Sequence, residues 1–257
     1  MDTKFLNTLM RGIMVLVLLS MLASTVPGGM LSAQAAPGDI TRVSVDSSGA
    51  EANGGSTKPA ISDDGRFVAF ESGASNLVSG DTNNADDIFV HDRQTGTTTR
   101  VSIDSSGAEA NGSSSSPAIS ADGRYVAFYS DATNLINGDT NGCGDIFVND
   151  RQTGQTTRVS VSSSGVEENA PPPDDYLILS ISGDGRYVAF YSDATNLVSG
   201  DTNGAADIFV HDLQTGTTMR ASVASDGSEA NAGSSEPSGA SLSTIAINQE
   251  LQCPKCS

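Results

Sequence analysis

The chain has no tryptophan, two histidines and three cysteines, and its 13 lysines and arginines face 31 aspartates and glutamates. Each shortage excludes something. A formal charge of -18 repels nucleic acid and anionic lipid, so neither is expected as a partner. The same acidity keeps an exported protein soluble. Cys143, Cys253 and Cys256 are too few to staple a chain of 257 residues. The single C-x-x-C in "CPKC" lacks both the second pair of a zinc site and the βαβ setting of a redox site. Cys143 stands where two other copies of a repeat carry Ala85 and Ala205. His91 and His211 correspond to Asn149 in the middle copy. A catalytic or zinc role for them would exist twice and fail once, so a polar residue closing a strand is the plainer reading. Serines are plentiful, but no G-x-S-x-G elbow occurs.

Long apolar runs are scarce as well. The run "IMVLVLLSMLA" follows Lys4 and Arg11 and precedes "AQAA". It is shorter than the roughly 20 residues that a spanning helix needs. Residues 1–35 therefore read as a secretory signal peptide cleaved after Ala35, with no membrane span left behind. Losing Asp2, Lys4 and Arg11 with it takes the charge from -18 to -19. The expected location is periplasmic, secreted or at the cell surface.

What the chain has in quantity is glycine, serine, threonine, asparagine and aspartate, arranged in repeats. "SDDGRFVAF" from Ser62, "SADGRYVAF" from Ser120 and "SGDGRYVAF" from Ser182 stand 58 and then 62 residues apart. The extra residues fall around Pro171, Pro172 and Pro173, a loop insertion between units. Each copy continues into "GDTNNADDIFVHD", "GDTNGCGDIFVND" or "GDTNGAADIFVHD", then a "QTG" turn and "TTRVSI", "TTRVSV" or "TTMRASV". A period of this length is a supersecondary unit repeated in space.

Four strands are expected in each unit. The first is short, as in "PAIS" from Pro59 and Pro117. The pairs Asp64-Gly65, Asp122-Gly123 and Asp184-Gly185 turn it into the second, since that dipeptide accepts the positive φ of a tight hairpin. "RYVAF" is the second strand, "DIFV" the third, and Gly96, Gly154 or Gly216 turns the chain into the fourth. Val126 and Phe128 point one way and Ala127 the other, while Ile146 and Val148 oppose Phe147. Both faces are apolar, so both must be covered. In the fourth strand Val159 and Val161 share one face, and Arg158 and Ser160 the other, which is expected to meet water.

Such a unit is a blade, and the fold class expected is all-β, a β-propeller of four-stranded antiparallel blades. About three complete blades are present, with units near 58–116, 117–178 and 179–232. They follow an expected outer strand at 39–45 and precede a divergent, disordered tail at 233–257. The motif S-x-D-G-R-[FY]-V-A-F followed by D-I-F-V-x-D resembles the repeat of TolB-like β-propellers over roughly residues 39 to 223. That resemblance implies a six- or seven-bladed exported or periplasmic binding module without catalysis of its own. The long connection before "DIFV" and the number of blades depart from it.

Three blades in an open arc leave two faces bare. With roughly 1.5 to 3 kcal/mol for each large apolar side chain, a bare face is worth about as much as the roughly 5 to 15 kcal/mol that stabilises a domain. The arc is therefore expected to be completed by a second chain, by a partner, or by further blades beyond Ser257. The abrupt loss of the repeat from Ser238 onward favours the last.

One constellation invites chemistry. Asp81, Asn83 and Asp87 recur as Asp139, Asn141 and Asp145 and as Asp201, Asn203 and Asp207. Oxygens at positions one, three and seven of a loop suit Ca2+, although the fixed glycine and distal glutamate of an EF-hand are missing. The competing reading is turn chemistry, with Asn and Asp bonding their own backbone. A second set, Glu51 and Asn53, Glu109 and Asn111, Glu229 and Asn231, belongs to connectors that gather on one rim. These connectors are either solvated loops or a binding ring. The leading functional expectation is a non-enzymatic exported propeller that binds or scaffolds a protein or glycan. Its rivals are the propeller portion of an exported hydrolase or peptidase and a calcium-dependent surface adhesion protein.

Overall fold

The computed structural model describes residues 40–170 and 179–230. Strands β1 (Ser56–Ile61), β2 (Phe67–Ser72), β3 (Asp87–Asp92) and β4 (Thr97–Arg100) form the first sheet. Strands β5 (Ser114–Ile119), β6 (Tyr125–Ser130), β7 (Asp145–Asp150) and β8 (Gln155–Arg158) form the second. Strands β9 (Leu179–Ile181), β10 (Tyr187–Ser192), β11 (Asp207–Asp212) and β12 (Thr217–Arg220) form the third. Each sheet is an antiparallel meander, and the central pair keeps one register throughout: Phe70 opposite Phe89, Phe128 opposite Phe147, Phe190 opposite Phe209.

These are three propeller blades. β5 lies against β1 and β2, and β9 against β5 and β6, so the first strand of each blade is innermost. Ala69, Ile88 and Val90 of the first blade pack on Val126, Phe128 and Phe147 of the second. Ala127, Ile146 and Val148 of the second pack on Val188, Phe190 and Phe209 of the third. The alternation in "RYVAF" and "DIFV" therefore sorts one face toward the preceding blade and the other toward the next.

Several local expectations are corrected. The Asp-Gly hairpins are not two-residue turns. Gly65 N donates to Ser62 O at 2.8 Å and Ser62 N to Phe67 O at 2.9 Å, with only Gly65 at positive φ, 70°. Asp64 instead bonds locally, its Oδ1 accepting from Ser62 Oγ at 2.7 Å and Arg66 N at 2.9 Å. The first strand begins earlier than expected and carries a bulge between Thr57 and Ala60, where Lys58 takes φ 47°. Because a bulge interrupts the ladder, Pro59 and Pro117 are tolerated beside it without an N–H to donate.

The fourth strand is shorter than expected and its second face is not open to water. Arg158 is 8% exposed and Ser160 0%. The chain leaves the sheet after Arg158, and Ser160 turns under the long connection, donating Oγ to Asp145 Oδ1 at 2.7 Å. The outer strand expected at 39–45 is absent over its described part, 40–45, where Val45 makes one bridge to Glu51. Residues 40–45 find no third strand of their own to pair with among the described residues.

The long connection also answers the bare-face argument at one end. In each blade it places an alanine and a leucine over that blade's own phenylalanine pair: Ala74 and Leu77 on Phe70 and Phe89, Ala132 and Leu135 on Phe128 and Phe147, Ala194 and Leu197 on Phe190 and Phe209. Phe89 is fully buried although no blade precedes it among the described residues. The expected signal peptide 1–35, the insertion at 171–178, Asn231 and the expected disordered tail 233–257 with Cys253 and Cys256 lie outside the described residues. No helix among the described residues is long and apolar enough to cross a membrane.

Candidate functional site

The acidic loops end at the start of the third strand, and the fourth strand lies beside that start. This register brings an arginine into every loop. Arg100 Nη1 lies 3.7 Å from Asp81 Oδ1, 3.2 Å from Asp87 Oδ2 and 2.7 Å from Glu109 Oε2. Arg158 meets Asp139 at 3.5 Å, Asp145 at 2.8 Å and Glu167 at 2.6 Å. Arg220 meets Asp201 at 3.6 Å, Asp207 at 3.2 Å and Glu229 at 3.0 Å. The structure thus gathers the two aspartates of each expected set but adds a glutamate from the connector and a guanidinium.

The asparagines play another part. Asn83 Oδ1 accepts from Ala85 N at 2.9 Å, while its Nδ2 donates to Asp87 Oδ2 at 3.0 Å and Ala110 O at 2.9 Å. Asn141 and Asn203 likewise accept from the backbone two residues on, at Cys143 and Ala205. Asn141 Nδ2 reaches Glu168 O and Asn203 Nδ2 reaches Ala230 O. Each asparagine therefore turns its oxygen to its own loop and its amide N–H to the connector, with Asn83 and Asn141 also donating to the aspartate of their own loop. The carboxylates of Asp81, Asp87 and Glu109, and of Asp201, Asp207 and Glu229, converge closely enough to share one cation. In each set a guanidinium is already in contact with all three.

The electrostatics follow from depth. Burial raises the Asp87 and Asp81 carboxyls despite the arginine. Glu109 is lowered, first by the Thr82 hydroxyl that donates to it. Glu229 falls to about 2 because Thr202 N–H, the Thr202 hydroxyl and Asn203 N–H all point at it. Glu109 and Glu229 belong to the rim set named from the sequence, and the missed members, Arg100, Arg158, Arg220 and Glu167, were findable in principle. They recur at constant spacing in every copy, but the arginine was assigned to an exposed strand face.

The connector asparagines form a rim of reciprocal amide pairs. Asn111 N donates to Asn134 Oδ1 at 2.9 Å, Thr133 N to Asn111 Oδ1 at 2.8 Å, and Asn134 Nδ2 to Glu109 O at 2.8 Å. Asn53 with Asn76, and Asn169 with Asn196, repeat the pattern. Beside these pairs the seams open into clefts. One of about 610 Å³ between the second and third blades is lined by Ser162, Ser163, Ser164, Val166, Asn196, Leu197, Val198, Ser199 and Thr218. Its counterpart between the first and second, about 400 Å³, is lined by Asp104–Ser106 and Asn134–Asn137. A third, about 530 Å³, lies across Thr140, Asn141 and Gly165–Asn169, so Val166 borders two clefts.

The histidines are buried side chains that close the outer hairpin. His91 Nδ1 lies 2.9 Å from Thr98 Oγ1, His211 Nδ1 2.9 Å from Thr218 Oγ1, and Asn149 Nδ2 donates to Thr156 Oγ1 at 3.0 Å in the middle blade. Burial lowers both imidazoles. Cys143 is a free, half-buried thiol that burial raises.

No family model matches the chain, and no curated protein matches it either. Solved structures similar to it include TolB from Acinetobacter baumannii, 21% identical with a TM-score of 0.39, over 68% of this chain and 36% of that one. A putative TolB from Agrobacterium tumefaciens is 18% identical with a TM-score of 0.40, over 65% and 48%. The β-propeller domain of the Trilobed protease from Pyrococcus furiosus is 15% identical with a TM-score of 0.41, over 65% and 42%. The chain spans less than half the length of each. The blade assignment itself rests on strand order, register and face packing.

Proposed function

We propose that this is an exported, non-enzymatic β-propeller module that holds a protein or glycan ligand at the seams between its blades. The observation that carries the reading is the recurrence of one cleft at both seams, lined by hydroxyl and amide groups around an aliphatic pair: Leu135 and Ile136 in one, Leu197 and Val198 in the other. Such a lining offers directional hydrogen bonds and a small apolar contact, with the Asp104 carboxylate in one cleft and no charged group in the other, which suits a polar ligand without negative charge. The acid–arginine sets beside the clefts fix the loops. Their carboxylates are engaged with guanidinium, hydroxyl and backbone N–H groups and hold the connector that forms each cleft wall. Export rests on the leader-like residues 1–35.

Val166 is 55% exposed and borders two of the three clefts. Val166→Arg should therefore abolish retention on an immobilised glycan or surface-protein panel while leaving the melting temperature unchanged. Equal retention by the variant and the wild-type chain would remove the clefts from consideration as the binding surface.

A further inference from the structure

The chain holds five Asn-Gly pairs, at Asn53, Asn111, Asn137, Asn141 and Asn203. An asparagine before glycine carries its own nucleophile, because the next backbone nitrogen can reach the side-chain carbonyl carbon with no Cβ to hinder it. The fold locks four of the five. Asn53 Oδ1 accepts from Ser75 N at 2.9 Å while its Nδ2 donates to Ser75 Oγ at 3.0 Å. Thr133 holds Asn111 in the same manner, its N donating to Oδ1 at 2.8 Å and its Oγ1 accepting from Nδ2 at 2.9 Å. Gly54 and Gly112 are also wedged against the backbone of residues 73–74 and 131–132. Asn141 and Asn203 accept from Cys143 N and Ala205 N, and donate to Glu168 O at 3.2 Å and Ala230 O at 2.9 Å. Both the oxygen and the nitrogen of each amide are engaged, so none of the four reaches its glycine nitrogen without giving up these bonds.

Asn137 is different. It is exposed, in the long connection of the second blade, and neither its side chain nor Gly138 N has a hydrogen-bond partner among the described residues. Gly138 takes φ 85°, and nothing lies within 4 Å of where its Cβ would stand. The same position is Ser79 in the first blade and Ser199 in the third, so the free pair belongs to one blade. Asn137 lines the cleft of the first seam with Asp104, Leu135 and Ile136, as Ser199 lines that of the second with Leu197 and Val198.

We propose that Asn137 is a site of spontaneous deamidation, through which the folded protein acquires a further carboxylate at its first seam. Gly138 N gives up its proton to solvent base and bonds to Asn137 Cγ. The Cγ–Nδ2 bond then breaks, and the nitrogen takes a proton from water and leaves as ammonia. Water opens the resulting succinimide at either carbonyl, giving aspartate or isoaspartate. The balance is amide plus water to carboxylate plus ammonium, with no oxidant or reductant. The new carboxylate joins Asp104 in the lining of one cleft, whereas Ser199 leaves the other uncharged. The charge difference between the two seams therefore grows with the age of the molecule.

When the folded chain is held in warm, mildly alkaline buffer, peptide mapping by mass spectrometry should find aspartate and isoaspartate accumulating at residue 137. The other four asparagines should react at least about tenfold more slowly, because local opening must come first. In guanidinium that advantage should vanish and all five should react at comparable rates. Asn137→Ser, which copies the other two blades, should remove the mass gain from the folded chain. Ser199→Asn precedes Gly200, also at φ 85°, and should create a second site that reacts like Asn137. An Asn137 that stays intact in the folded chain while the denatured chain reacts, folded-state rates that are equal at all five positions, or an unreactive Ser199→Asn variant would each overturn the proposal. Peptide masses report this chemistry whether or not the clefts hold a ligand, so its failure would leave the Val166 test standing.

Discussion

Single residues decide how charge is tolerated in this molecule. Glu168 occupies the place that Ala110 holds at the preceding seam. It is 1% exposed, its Oε2 accepts from Ser192 Oγ of the third blade at 2.7 Å, and its Oε1 has no hydrogen-bond partner. Burial pushes its carboxyl up to about 8, with Asp145 adding to the rise and Arg158 opposing it. The folded state therefore keeps a proton that the unfolded chain releases near its ordinary value of 4.5. Stability contributed by this group is complete below that value and falls as pH rises toward 8. Glu168→Gln should raise the melting temperature at neutral pH and flatten its decline over that window, as followed by thermal unfolding in a pH series. An unchanged slope would show that Glu168 is ionised in the fold.

Arg100 makes the complementary case. Its side chain is 9% exposed and serves three carboxylates, so Arg100→Ala should cost about 3 to 5 kcal/mol by leaving buried charge unpaired. The vacated space is then lined by convergent carboxylate oxygens, the ligand type that Ca2+ takes. Millimolar Ca2+ should raise the melting temperature of the variant and leave that of the wild type unmoved. Failure of the ion to rescue the variant would mean that the three carboxylates do not act as one site.

At the scale of the element, the long connection before the third strand is part of the core. Leu135 is 1% exposed and covers Phe128 and Phe147. Leu135→Ala should destabilise the fold by about 2 to 5 kcal/mol, a loss readable as a shift in the urea midpoint. A loop that merely joins strands would show almost none. The hairpins teach a different lesson. Asp-Gly correctly marked the turn because Gly65 needs positive φ, but the turn closes over four residues, since Asp64 bonds Ser62 and Arg66 rather than adopting positive φ itself. Composition locates such a turn; the hydrogen bonds that choose its length involve residues on both sides.

At the scale of the whole molecule, the open arc is less exposed than its blade count suggests. The leading face of the first blade is covered by Ala74 and Leu77 of the same blade. Residues 45 and 47 dock on the outer strand, with Thr98 Oγ1 donating to Val45 O and Thr98 N to Ser47 Oγ. Ile103 and Ser105 make the same contacts to Thr156, and Val161 and Ser163 to Thr218. The connector thus reaches forward onto the next blade. Each seam is tied at the axis by backbone, at mid-blade by apolar packing and at the outside by this threonine.

The sequence by itself determined the three blades among the described residues and the two apolar faces of their second and third strands. Val126 and Phe128 in one strand, and Ile146 and Val148 in the next, alternate on a period of two, and three copies of that pattern admit few other folds. It could not tell that Arg158 is buried, because strand alternation records which face a side chain takes and not what another loop lays over it. Only the tertiary structure decided that the aspartates of each loop are joined by an arginine and a connector glutamate. Charge pairing depends on distance in space, and Arg100, Asp81 and Glu109 are brought together by the fold rather than by adjacency in the chain.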